Sequence, residues 1–208
     1  MRIGMIGAGH IGATLAAHLT DAGHEVAIAN SRGPGTLEDL VEAIEGSIRA
    51  VTAEEAADFG DVVVVSIPYG RYLELPAAAL RGKVVIDTCN YYPQRDGADP
   101  ELDDDSTTSS EKIQEYTRAR VVKAFNAIYW YNLRDRARPK GAPDRLAIPV
   151  SGDDDEAKRT VGDLIDRIGF DVVDAGNLAR GGRKHQPGSR VYTAELSADE
   201  THSLLDAA

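Results

Sequence analysis

Six residues near the amino terminus, Gly7-Ala8-Gly9-His10-Ile11-Gly12, have the types and spacing of a turn that grips a diphosphate. A side chain at Gly7 would block the tight turn. One at Gly9 would hold a pyrophosphate off the backbone, and one at Gly12 would keep the next helix from packing on the strand. The N–H groups that open such a helix lack partners within it and point at the anion. An ordinary glycine-rich turn has similar residues, so context matters. A β-rich run begins at residue 2, and Ile11, Leu15 and Leu19 repeat every four residues on the helix that follows. Strand, glycine turn and amphipathic helix together predict a dinucleotide site that includes His10 and Ile11 with the three glycines.

The end of the second strand bears on which nucleotide. An NAD site usually places a carboxylate there to hold the ribose 2′-hydroxyl. This chain has Ala29-Asn30-Ser31-Arg32. A carboxylate would repel a 2′-phosphate, whereas the Arg32 guanidinium pairs with one and the Ser31 hydroxyl donates to it. NADP is therefore predicted over NAD, against the alternative of a solvated loop arginine. Ligands of open parallel sheets lie outside the carboxyl ends of the strands. Ile67, Pro68 and Tyr69, Asn90, and Ala124-Phe125-Asn126 fall at such ends and complete the candidate cofactor-binding set. Asn126 carries a donor and an acceptor that match a carboxamide; a helix N-cap is the other reading.

Flat rings stack on flat acceptors. Tyr91-Tyr92 and Tyr129-Trp130-Tyr131 each follow a predicted strand end, where they suit either a planar substrate or core and interface packing. Arg180, Arg183, Lys184, His185 and Arg190 form a basic cluster that reads either as a seat for an anionic group or as a terminus with solvated charges. Asp103-Asp104-Asp105 reads as a solvated loop, and the histidines lack metal-binding spacing, so no metal site is expected. Cys89 reads as a small buried residue.

The elements that position these residues alternate. β-rich runs lie at 2–7, 25–30, 48–51, 61–67, 83–88 and 120–125, with helical stretches at about 10–22, 36–45, 53–58 and 70–80. That spacing predicts βαβ units and an α/β, mainly parallel sheet with helices on both faces. Segment 89–110 reads as a long loop followed by a helix from Ser109 or Ser110. A strand near 145–151, a helix over 153–168 and a last strand from Phe170 follow. Residues 1–176 are expected to form the nucleotide-binding domain. Residues 177–208 read as a C-terminal tail, its pattern fading from Ala179.

Composition narrows the function class. The chain has 208 residues, 42% apolar and 27% charged, which fits one domain with a modest appendage. Its net charge of −11 disfavours nucleic acid and anionic membranes as partners. One cysteine, no long apolar run and no signal-peptide pattern point to a soluble cytoplasmic protein.

The ordered set Gly7-Ala8-Gly9-His10-Ile11-Gly12, Asn30-Ser31-Arg32, Ile67-Pro68, Val121-Val122-Lys123-Ala124-Phe125-Asn126 and Ser151-Gly152-Asp153-Asp154-Asp155 resembles the NADP oxidoreductases dependent on coenzyme F420. The same module resembles the cytoplasmic domain of six-transmembrane epithelial metalloreductases. The resemblance runs to about Gly176. It implies a doubly wound Rossmann-type domain with a small C-terminal extension that helps form a dimer or the acceptor site, NADPH binding, a homodimer, and hydride exchange between the nicotinamide and a deazaflavin or flavin ring, with no acid–base side chain required. The tail from Arg180 and the 89–110 segment depart from the archaeal members. A non-catalytic NADPH sensor is the alternative. A β-hydroxyacid dehydrogenase or imine reductase would need a further helical domain for which too few residues follow Gly176, unless a dimer partner provides the missing wall.

Overall fold

In the computed structural model, which describes residues 1–207, the strands form one sheet in the order β3-β2-β1-β4-β5-β6-β7-β8. They are β1 (Arg2–Ile6), β2 (Glu25–Ala29), β3 (Ile48–Ala50), β4 (Val62–Val65), β5 (Val84–Asp87), β6 (Arg120–Lys123), β7 (Ala147–Gly152) and β8 (Asp171–Gly176). The order turns outward in both directions from the β1–β4 neighbours, which sets a crevice at their carboxyl ends. Pairing is parallel except between β6 and β7. The mainly parallel α/β sheet is thus as the strand spacing predicted, and its doubly wound order as the resemblance implied.

The central strands are apolar on both faces because helices cover both. Val62 to Val65 are all buried, with Val62 and Val64 in one core cluster and Val63 and Val65 in the other. The helices are α1 (His10–Asp21), α2 (Glu38–Ala43), α3 (Ala53–Phe59), α4 (Ala77–Leu80), α5 (Pro93–Asp96), α6 (Pro100–Asp103), α7 (Ser109–Thr117), α8 (Trp130–Asp135), α9 (Asp155–Arg167) and α10 (Ala198–Asp206). Local chemistry starts many of them. Thr52 with Glu55, Thr108 with Glu111 and Ser197 with Glu200 are reciprocal capping boxes for α3, α7 and α10. Asp154 caps α9, so that helix begins at Asp155 rather than at residue 153.

Three expectations are corrected. The helical stretch 70–80 is a 3₁₀ turn, Tyr69–Glu74, and then α4, because Pro76 cannot continue a helix begun before it. The 89–110 loop contains α5 and α6, each opened by a proline at its first turn. The C-terminal segment is ordered beyond Ala179: it contains a 3₁₀ turn, Gly182–His185, and α10. Val191 and Leu205 pack there with Val173 of β8 in a third apolar cluster.

The antiparallel register sets Lys123 opposite Ser151, so residues 147–150 of β7 run past the carboxyl end of β6. They wall that end of the sheet beside the turn that follows β6.

Candidate functional site

The carboxyl ends of β1, β2 and β4 open onto a groove of about 320 Å³ lined by Gly7, Gly9, Asn30, Ser31, Arg32, Ile67 and Pro68, among others. Its three predicted glycines differ in what they avoid. Gly7 has φ +113, and a Cβ on it would sit 2.1 Å from the Ser66 carbonyl oxygen. A Cβ on Gly12 would sit 2.1 Å from the Gly7 carbonyl oxygen. Both are required by the fold itself. A Cβ on Gly9 would meet nothing within 4 Å, and its φ of −73 is open to any residue. Gly9 is the N-cap of α1, whose first turn has no acidic residue, so the positive helix end faces open space. The surroundings fit a diphosphate.

Asn30 organises the β2 end. Its Nδ2 donates to Thr36 Oγ1 at 2.9 Å, and its Oδ1 accepts from the Arg32 backbone N–H at 2.9 Å. This turn sets Ser31 and Arg32, both exposed, at the groove rim. Arg71 and Glu74, absent from the sequence prediction, line the groove too. Arg71 Nε donates to Glu74 Oε1 at 2.9 Å and Nη2 to Oε2 at 2.5 Å. That hydrogen bonding holds the Glu74 carboxyl below its usual range. The signal for Arg71 was its place three residues past the strand-ending Pro68.

Tyr69 is not in this groove. It is buried in the second core cluster, stacked on Tyr72 at 5.0 Å and edge-on to Tyr91. His10 is exposed and stacks on Trp130 with ring centroids 4.6 Å apart. Ile11 packs against the first core cluster.

The remaining candidates gather at the ends of β5 and β6. Ala124 and Phe125 are buried, and Phe125 takes a left-handed φ of +60 that reverses the chain after β6. Asn126 Nδ2 donates to Asn90 Oδ1 at 3.0 Å and to the His185 carbonyl at 2.8 Å. Asn90 Nδ2 donates back to the Asn126 carbonyl at 2.8 Å. The Asn126 amide is committed to these partners, and it is not an N-cap either, since α8 starts at Trp130 with Tyr129 as cap.

With both Asn126 amide protons donated, its Oδ1 is the acceptor for His185 Nδ1–H at 2.8 Å. His185 Nε2 then accepts from the Ser151 hydroxyl at 2.7 Å. Burial, with Lys123 nearby, pushes His185 down to about 3, so the ring is neutral. Sequence reading placed His185 in a basic cluster; only its long-range partners, 59 and 34 residues away, reveal its role.

A second buried polar cluster lies beside this one. Asp87 and Lys123 are register neighbours on β5 and β6, with Nζ 3.6 Å from Oδ2. Ser110 Oγ donates to Asp87 Oδ2 at 2.6 Å, and Lys123 Nζ donates to the Cys89 carbonyl at 2.9 Å. Cys89 is buried as expected, and burial pushes its thiol up. Asp103 accepts from the Tyr91 hydroxyl at 2.9 Å, and no group of potential metal ligands occurs among the described residues. The Tyr92 and Tyr192 hydroxyls are hydrogen-bonded to each other. Tyr129 and Tyr131 stack on each other at the surface. No helix among the described residues is long and apolar enough to cross a membrane.

Residues 2–91 match the family model described as NADP oxidoreductase coenzyme F420-dependent. Over 144 residues the chain is 31% identical to the F420-dependent NADP reductase of Methanocaldococcus jannaschii, covering 66% of this chain and 63% of that protein. Over 181 residues it is 29% identical to the metalloreductase STEAP3 of Rattus norvegicus, covering 86% of this chain and 34% of the relative. The chain thus spans about a third of one of these curated relatives and just under two thirds of the other. Among solved structures, the hypothetical protein SMa0349 from Sinorhizobium meliloti superposes with a TM-score of 0.81 at 32% identity, covering 95% of each chain. The amino-terminal part of the chain is thus similar to the coenzyme F420-dependent NADP oxidoreductases, a family whose nucleotide is NADP.

Proposed function

We propose that this chain binds NADP(H) across the β1–β4 crevice and serves hydride exchange with a planar acceptor such as coenzyme F420 or a flavin. The observation that carries the reading is Gly9: the protein's own packing does not require a glycine there, and its open side faces the groove whose rim holds Arg32. In this reading the α1 N-terminus and Gly9 hold the diphosphate, and Arg32 with Ser31 selects the 2′-phosphate. Ile67 and Pro68 wall the groove. Asn90, Ala124, Phe125 and Asn126 act through the backbone, by fixing the turn past β6 that borders the nicotinamide. Tyr69 braces that wall from the core and does not touch nucleotide.

When bound, NADPH supplies a hydride at its nicotinamide ring. The residues around it hold the two partners in register and exclude water, so rate comes from proximity and orientation. Homodimer formation belongs to the same proposal and is read by light scattering. The main test is titration with NADPH and NADH, then NADPH oxidation by F420, FMN, riboflavin and ferric chelates. Arg32→Ala is expected to weaken NADPH about tenfold or more and NADH little, given the strength of charge-assisted contacts. Equal losses for both nucleotides would remove the assignment of Arg32, and NADPH binding without oxidation by any acceptor would remove the hydride exchange.

A further inference from the structure

Past Asn90 the molecule has a second, separate recess. A pocket of about 260 Å³ runs from Asn90 between the 103–109 segment and Gln186-Pro187. At Asp105 it meets an open groove of about 740 Å³ lined by Arg180, Arg183, Lys184 and Arg190. None of these four side chains is in an ion pair among the described residues, although acidic residues outnumber basic ones 34 to 23.

Two of the four cations are held in place by neutral carbonyls. Arg183 donates to the carbonyls of Ala179, Asp105 and Thr107, and Lys184 Nζ to that of Leu205 at the end of α10. Carbonyl partners fix the position of a cation without cancelling its charge. Arg180 and Arg190 are exposed at the rim, and Asp105 is the one carboxylate residue lining the groove among the described residues. Two fixed cations with two exposed ones beside them form a seat for an extended anion.

We propose, resting on the hydride-exchange reading, that this groove receives a polyanionic substituent of the acceptor, a chain of phosphate or carboxylate groups, whose ring enters from the Asn90 side. The test compares NADPH oxidation by F420 carrying its oligoglutamate tail with oxidation by the tail-less deazaflavin riboside, in the wild type and in Arg180→Glu/Arg190→Glu. The ratio of kcat/KM for the tailed over the tail-less acceptor is expected to fall about tenfold in the variant, and in the wild type to fall as salt is raised. An unchanged ratio with both acceptors turning over overturns the inference and leaves the hydride reading intact. If neither acceptor oxidises NADPH, the hydride reading fails, and calorimetric titration with inorganic tripolyphosphate decides the groove. Binding by the wild type alone supports the cationic seat; equal binding or none overturns it.

Discussion

His185 Nδ1 lies 2.8 Å from Asn126 Oδ1, so a residue of the C-terminal segment holds the turn that follows β6. The bond has a direction. Asn126 gives both amide protons to other acceptors, so His185 is the donor and its Nε2 is left to accept from Ser151. A protonated imidazole would have no acceptor for its second proton except the Ser151 oxygen, in a site with no exposure and beside Lys123. The C-terminal segment is therefore docked by a neutral histidine.

That docking predicts acid sensitivity. The folded His185 titrates at about 3 against an ordinary 6.5. Between those values the unfolded chain binds a proton that the folded one refuses. The contribution is complete above about 6.5 and is lost as pH falls toward 3, with a limiting slope of about 1.4 kcal/mol per pH unit. His24, lowered chiefly by burial, adds in the same sense. Urea unfolding of the wild type and of His185→Gln between pH 5 and 6.5 is expected to show a shallower pH dependence in the variant. An imidazole resonance of His185 that titrates near 6.5 in the folded protein would contradict the docking.

The glycine turn gives a prediction with two opposite signs. Gly9→Asp supplies an N-cap acceptor and a negative charge at the positive end of α1, both favourable to folding. The same carboxylate occupies the space a diphosphate needs. The expected outcome is an unchanged or slightly raised Tm with NADPH binding weakened about hundredfold or more. Gly12→Ala is expected to behave otherwise: its Cβ meets the Gly7 carbonyl, and overpacking of that kind costs about 1–3 kcal/mol. Calorimetry and nucleotide titration on both variants separate the roles.

Local chemistry made the first half of the molecule legible. The glycine turn, the apolar β4 run and the Asn30-Ser31-Arg32 strand end depend on neighbours in sequence, and they lie where periodicity put them. What escaped depends on distant partners. Lys123 looks like any strand-end lysine until Asp87 and Ser110 are brought to it. His185 looks like part of a basic run until Ser151 and Asn126 meet it. Asn126 itself drew a ligand role from its amide, whose capacity is taken up inside the protein. Arg71 was hidden because 70–80 read as one helix, whereas Pro76 splits it and leaves Arg71 at the groove. The Ser197–Glu200 capping box was a local signal for α10, and it lay in a segment whose apolar pattern is weak.

Arg71 and Glu74 yield a third prediction. Their two hydrogen bonds hold the guanidinium beside the groove but lend its charge to a carboxylate. Both side chains are exposed, so the pair itself contributes little to stability. Glu74→Gln frees the cation for a bound phosphate and removes a repelling charge. NADPH affinity is expected to rise about threefold, with Tm within about 2 °C, and Arg71→Ala to lower it by a similar factor. A Glu74→Gln variant that binds NADPH more weakly would mean that Glu74 orients Arg71 rather than competing for it.

The Asp87–Lys123 pair predicts strong coupling. Asp87 has no exposure, and its carboxylate accepts from Ser110 Oγ and the Cys89 N–H as well as facing Lys123 Nζ at 3.6 Å. Lys123→Met removes the countercharge and leaves the carboxylate buried, a loss of about 3–5 kcal/mol. Asp87→Asn keeps an acceptor for Cys89 yet strands the ammonium, at a similar cost. In the double variant neither charge remains buried, the introduced amide oxygen still accepts from the Cys89 N–H, and methionine fills the lysine stem's volume. Its destabilisation is expected to fall short of the summed single losses by about 2 kcal/mol or more, measured by urea unfolding at pH 7. Additive losses would show that the two groups do not sense each other across the register pair, and that hydrogen bonds alone hold each one.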